Sequence, residues 1–193
     1  MTRPLAILAF LLAFPAAAAP FDDGMQALQA SDFAEARATF TPLAAAGNGN
    51  AQFMLGVMFE NGLGTGKDLG AAASWYEKAA AAGIASAQYN LGVFYQLGTG
   101  VPHNLAFALK FHGMAAAQGH SRAQNNLGTM YFMGAGVPRN PVEAWKWLTL
   151  AARGLRGDAH DIAAKNIGAI EDELTPDALA DAKRRVAAWK PRK

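Results

Sequence analysis

The chain contains no cysteine. That excludes a disulfide framework, thiolate chemistry, a cysteine-ligated metal and a lipidated cysteine anchor. It is also nearly free of net charge, with 17 Lys and Arg against 15 Asp and Glu leaving +2. So small an excess does not argue for a nucleic-acid partner. The basic residues gather late (Arg153, Arg156, Lys183, Arg184, Arg185, Lys190, Arg192, Lys193) but are interleaved with acids, which reads as a solvated helix face. No apolar run is long enough for a bilayer, since the longest, residues 5–14, has about half of the roughly 20 residues a span needs. No Gly-x-Ser-x-Gly occurs, and none of His103, His112, His120 and His160 stands four residues from another. The acidic run Glu171-Asp172-Glu173 sits at a helix end beside a turn and reads as surface. No catalytic residue, cofactor site or metal site is expected.

What is present begins with an export signal. Arg3 supplies the positive end, residues 5–14 the apolar stretch, and Ala16 to Ala19 the small-residue cleavage site. Pro20 disfavours cleavage after Ala19, so residues 1–18 are expected to be removed. An exported protein with no stable membrane anchor follows.

The remainder is built on a repeat. Ala-Gln-x-x-Leu-Gly-x-x-aromatic begins at Ala51, Ala87 and Ala123, each followed by Gly-x-Gly at Gly62/Gly64, Gly98/Gly100 and Gly134/Gly136. A constant spacing of 36 residues is the signature of a solenoid in which one supersecondary unit stacks on the next. Asp32, Asp68, Asn104 and Asn140 share the period and are good helix N-caps, while Gly47, Gly83 and Gly119 can end the same helices in a left-handed conformation. Each unit is therefore a helical hairpin, with helix A over residues 50–60, 86–97 and 122–133 and helix B over 69–82, 105–118 and 141–153. The Gly-x-Gly segments join helices rather than follow a strand, so they are not phosphate cradles.

The array is expected over residues 20–157, as a half-repeat at 32–47 and repeats at 48–83, 84–119 and 120–155. A weak helical pattern at residues 21–30 precedes a helix at 33–46, whose Asp32 and Glu35 have capping-box spacing and whose Pro42 should loosen its last turn. Degenerate capping helices are expected at 158–189 and a frayed tail at 190–193.

At 100° per residue, Ala51, Gln52, Leu55, Gly56 and Phe59 fall on one side of helix A, which is predicted to be buried. Gly56, Gly92 and Gly128 are expected to receive the close approach of helix B at Ala79, Ala115 and Ala151. Trp75, Phe111 and Trp147 supply the large residues of the layer. The opposite arc varies between copies: Asn50, Phe53, Val57 and Glu60; Ser86, Tyr89, Val93 and Gln96; Arg122, Asn125, Thr129 and Phe132. Asn61, Leu97 and Met133 complete the same arc in the three copies. An apolar stripe flanked by amides and Arg suits an extended peptide or a partner helix.

The unit as a whole, Ala87-Gln88-x-x-Leu91-Gly92-x-x-Tyr95 with Gly98-x-Gly100-Val101 and then Ala108 to Gly119, resembles the Sel-one-like repeat, a relative of the tetratricopeptide repeat. Thr65-Gly66-Lys67 and Phe111 depart from its usual pattern. The resemblance implies an all-α, right-handed superhelical solenoid whose A helices line the concave face. It also implies a periplasmic or secreted non-enzymatic scaffold, adaptor or regulator that binds a protein or peptide of the cell envelope. Some members are linked to penicillin binding or β-lactamase activity but are cysteine-rich, which makes a hydrolase of cell-wall material or β-lactams the alternative.

Overall fold

The structure, a computed structural model, describes residues 20–192, and these form ten α-helices and no strand. Residues 1–18, the segment expected to direct export, lie outside the described residues. In order the helices are α1 (Pro20–Gln29), α2 (Phe33–Ala45), α3 (Gly49–Asn61), α4 (Leu69–Ala81), α5 (Ala85–Leu97), α6 (Leu105–Ala117), α7 (Ser121–Met133), α8 (Pro141–Ala152), α9 (Asp158–Glu171) and α10 (Pro176–Ala188). The hairpins α3·α4, α5·α6 and α7·α8 stack through α2·α3, α4·α5 and α6·α7, an all-α solenoid. No helix among the described residues is long and apolar enough to cross a membrane.

Local chemistry sets these boundaries. Asp32, Asp68, Asn104 and Asn140 each accept a first-turn amide of a B helix, at 2.9–3.1 Å. Only half of the expected capping box forms, because Glu35 accepts from Thr39 while the Asp32 amide donates to Ala27. Helix α2 continues through Pro42 to Ala45, and the Ala46 amide bonds the Pro42 carbonyl. Each A helix ends in a left-handed glycine, Gly62, Gly98 or Gly134. The second glycine of each pair faces the preceding unit: a Cβ at Gly64 would stand 2.6 Å from the Phe33 carbonyl oxygen, and one at Gly136 2.8 Å from that of Leu105. Gly-x-Gly is thus a stacking contact as well as a turn.

The repeated glutamine has a similar task. The Nε2 groups of Gln52, Gln88 and Gln124 donate to the carbonyls of Ala44, Ala80 and Ala116, at 3.1–3.2 Å. Each buried amide satisfies a carbonyl near the end of the preceding B helix, where intrahelical partners run out.

Two packing expectations are corrected. The buried side of helix A includes Met58, Phe94 and Met130, whereas Phe59, Tyr95 and Tyr131 are only half-buried. The glycines of helix A meet Tyr76, His112 and Leu148, not Ala79, Ala115 and Ala151. A Cβ at Gly56 would stand 2.6 Å from the Tyr76 ring, and one at Gly92 2.6 Å from the His112 ring. The small alanines are buried elsewhere in the layer, because the helix crossing brings a large side chain over the glycine gap.

At the start of the array α1 pairs with α2, and Gly24 lies under the Phe40 ring as Gly56 lies under Tyr76. At the other end α9 and α10 both pack on α8, burying Ile170, Ala182 and Val186 with Leu148. Glu171 accepts from the Trp145 indole at 3.0 Å. Residues 190–192 do not fray: the Arg192 amide donates to the Ala117 carbonyl at 2.8 Å.

Candidate functional site

The twelve variable positions of the A helices lie on one side of α3, α5 and α7, and they differ in how far packing claims them. Asn50, Arg122 and Thr129 are exposed, whereas Phe53, Val57, Glu60, Ser86, Tyr89, Val93, Gln96, Asn125 and Phe132 are half-buried. Phe53 and Val57 pack on the cluster that joins α4 to α5, with the Phe53 ring 5.8 Å from that of Tyr76 in its own hairpin. Tyr89 stacks on His120 at 4.7 Å and lies 5.8 Å from His112. The stripe is therefore partly an inter-repeat seam.

Positions 60, 96 and 132 answer to the residues over the glycine gap. The Tyr76 hydroxyl donates to Glu60 Oε2 at 2.5 Å, and the His112 Nε2 lies 3.2 Å from Gln96 Oε1. In the third unit Phe132 packs on the cluster that holds Leu148. A polar side chain at one position accompanies a polar partner at the other, and an apolar one an apolar partner, as a buried polar group needs a hydrogen bond.

His112 is fully buried. Asn126 Nδ2 lies 3.4 Å from its Nε2, while its Nδ1 faces Gly92 without a hydrogen-bond partner. Burial, aided by the charge of His120, lowers its pKa to about 4, so the neutral ring is the folded form. His120 caps α7, its Nδ1 accepting the Ala123 amide at 3.2 Å, and burial beside Arg122 lowers its pKa as well. Burial and the Glu60 carboxylate push the Tyr76 hydroxyl far up, leaving it a proton donor. These groups rigidify a polar core rather than converge on an open site.

Tyr89, Arg122 and Asn125 do converge, around a cleft of about 250 Å³ closed on its far side by Leu155, Ala159 and Ile162. Arg122 also lines an adjoining cleft of about 430 Å³ with His120, Ser121 and Arg156. Asn125, on the smaller cleft, has its Oδ1 buried without a partner. Ile162, on α9, is 59% exposed and extends the apolar wall. The sequence reading passed over Asn126 and Ile162; Asn90 and Asn126 are one period apart, a signal that was available, whereas Ile162 belongs to a worn unit. A separate cleft of about 540 Å³ opens between α2 and α4, lined by Arg37, Pro42, Phe59 and Trp75. Among the described residues no group of three His, Cys, Asp or Glu is placed to hold a metal ion.

The family model for the Sel1 repeat matches residues 49–84, 85–120 and 121–154. The fold is similar to the crystal structure of a Sel1 repeat protein from Oxalobacter formigenes, with 34% identity, a TM-score of 0.73, and 79% of this chain and 61% of that one covered. It is also similar to a protective antigen of uropathogenic Escherichia coli strains displaying an SLR fold, with 26% identity, a TM-score of 0.60, and 88% and 44% covered. This chain thus spans less than two thirds of either of those chains. No curated protein matches it.

Proposed function

The chain belongs to the Sel1 repeat family, and from that premise we propose that it is a non-enzymatic scaffold that binds a protein or peptide partner in the cell envelope. The partner sits on the variable face of α3, α5 and α7. One observation carries this reading: the residues that repeat are buried between hairpins, while Asn50, Arg122 and Thr129, at positions that do not repeat, are exposed on a common side. The cleft at Tyr89, Arg122 and Asn125 combines an aromatic wall, a cation and an amide, a composition suited to a peptide. Residues 1–18, read as an export signal, support a location for this face in the periplasm or outside the cell.

The test uses exposed positions, since an Asp at Phe53 or Tyr89 would also break the contacts with Tyr76 or His120. The purified chain and the Arg122→Glu/Thr129→Arg variant are compared for capture of envelope proteins, with melting curves as the control for folding. A partner retained by the first and lost by the equally stable second is the expected result. Identical capture would place binding elsewhere, and turnover of β-lactams or wall fragments by the purified protein would overturn the scaffold reading.

A further inference from the structure

After α10 the chain runs extended and returns to the unit formed by α5 and α6. Trp189 leaves the helix with φ −71° and ψ 135°, its ring on the α8–α10 cluster. The amide of Arg192 then donates to the Ala117 carbonyl at the end of α6. Trp189 and Pro191 lie against Gly119, 3.6 and 3.7 Å from the place of a Cβ. At the equivalent turn glycines, Gly47 and Gly83, nothing described comes within 4 Å of that place. Among the described residues, one surface repeated along the edge of the solenoid is covered by the returning chain at Gly119 and leaves the place of a Cβ open at Gly47 and Gly83.

The chemistry of the cover fits what lies beneath it. The last carbonyls of a helix lack intrahelical partners and carry the negative end of its dipole, so they accept amides and favour cations. The segment over α6 reads Trp189-Lys190-Pro191-Arg192, with two exposed cations and a proline that holds the chain extended. Beyond Arg192 the same edge continues as a groove of about 430 Å³ lined by Ala82, Gly83, Gln88, Met114, Ala117 and Gln118. Its wall is apolar, and Gln118 Nε2 donates across the unit boundary to Gln88 Oε1 at 2.8 Å and to the Gly83 carbonyl at 3.0 Å. Among the described residues, Arg192 is the one charged residue on its lining.

We propose that the turns joining B helices to the next A helices form a track for an extended, basic, proline-containing peptide of a partner protein. Residues 189–192 are an internal occupant of the same chemistry, covering one end of the track. This surface is distinct from the variable face of the A helices and does not depend on it.

A dye-labelled peptide with the sequence of residues 188–192 tests the proposal by fluorescence anisotropy against the full chain and the Arg192→Pro variant. Proline there deletes the N–H that Ala117 accepts, and a tethered competitor loses its advantage of effective concentration. The variant is expected to bind the peptide at least about tenfold more tightly than the unaltered chain. Adding Met114→Arg should abolish that gain, and a peptide with Glu in place of its two cations should not bind. Equal affinity of the two proteins, or no binding by either, overturns the proposal. Binding that survives Met114→Arg but is lost on adding Arg122→Glu/Thr129→Arg puts the peptide on the A helices and also overturns it.

Discussion

The buried imidazole of His112 makes the stability of the array depend on pH in a calculable way. In the unfolded chain the ring has the ordinary histidine pKa of 6.5, and in the folded chain burial brings it down to about 4. The folded pKa is depressed, so this contribution to stability is fully present above 6.5 and is lost as pH falls from 6.5 to about 4. Each pH unit in that window corresponds to about 1.4 kcal/mol, which gives a loss of about 3 kcal/mol by pH 4. The groups facing the ring explain the direction. Gln96 and Asn126 take Nε2, Gly92 leaves Nδ1 nothing to donate to, and His120 adds a second positive charge once it is protonated.

The third unit supplies the control, because Leu148 over Gly128 and Phe132 beside it occupy the places of His112 and Gln96. The double variant His112→Leu/Gln96→Phe should therefore fold. Urea denaturation of both proteins from pH 8 to pH 4 measures the difference, in which the titration of surface carboxylates cancels. The unaltered chain should lose about 3 kcal/mol relative to the variant, and the gap in urea midpoint should shift by about 1 M or more at the usual dependence of stability on urea. Parallel pH profiles would refute the buried, neutral His112.

Three further outcomes are expected. Gly92→Ala forces a methyl group to within 2.6 Å of the His112 ring and should destabilise by about 1–3 kcal/mol in thermal or urea melts. Gly113→Ala, where nothing lies within 4 Å, should stabilise by about 0.5–1 kcal/mol; equal effects would mean that the helix A glycines are not a packing gap. When the full chain is expressed with an export pathway, the mass of the mature protein should correspond to a start at Ala19, and retention of residues 1–18 would refute the export reading.

The period made most of the fold legible. Cap residues and turn glycines act through backbone geometry within a few residues, so Asp68, Asn104, Asn140 and Gly83 could be placed from spacing alone. What spacing could not give was which side chain crosses which. The choice of Tyr76, His112 and Leu148 over Ala79, Ala115 and Ala151 depends on the angle between helices, and residues of three chemical types share that place. The pairing of α1 with α2 escaped for another reason: Gly24 and Phe40 are separated by a shorter connection than Gly56 and Tyr76, so the 36-residue period does not reach α1. The docking of residues 190–192 depends on a single backbone hydrogen bond and a glycine surface, neither of which has a signature in sequence.

The same reasoning narrows the candidate site. In a repeat array, positions that vary between copies are first read as the place of specificity. Here Glu60 answers to Tyr76, Gln96 to His112 and Phe132 to Leu148, so part of that variation preserves one internal contact in three chemical versions. Phe53 and Tyr89 are likewise engaged inside the array, the first by Tyr76 of its own hairpin and the second by His120 of the unit that follows. Variation that compensates an internal partner carries no information about an external one. Arg122 and Thr129 have no such compensation: the first is exposed at the mouth of two clefts, and the second bonds only the Asn125 carbonyl of its own helix. The selectivity of the A-helix face is therefore expected to concentrate at α7, where α9 adds an apolar wall.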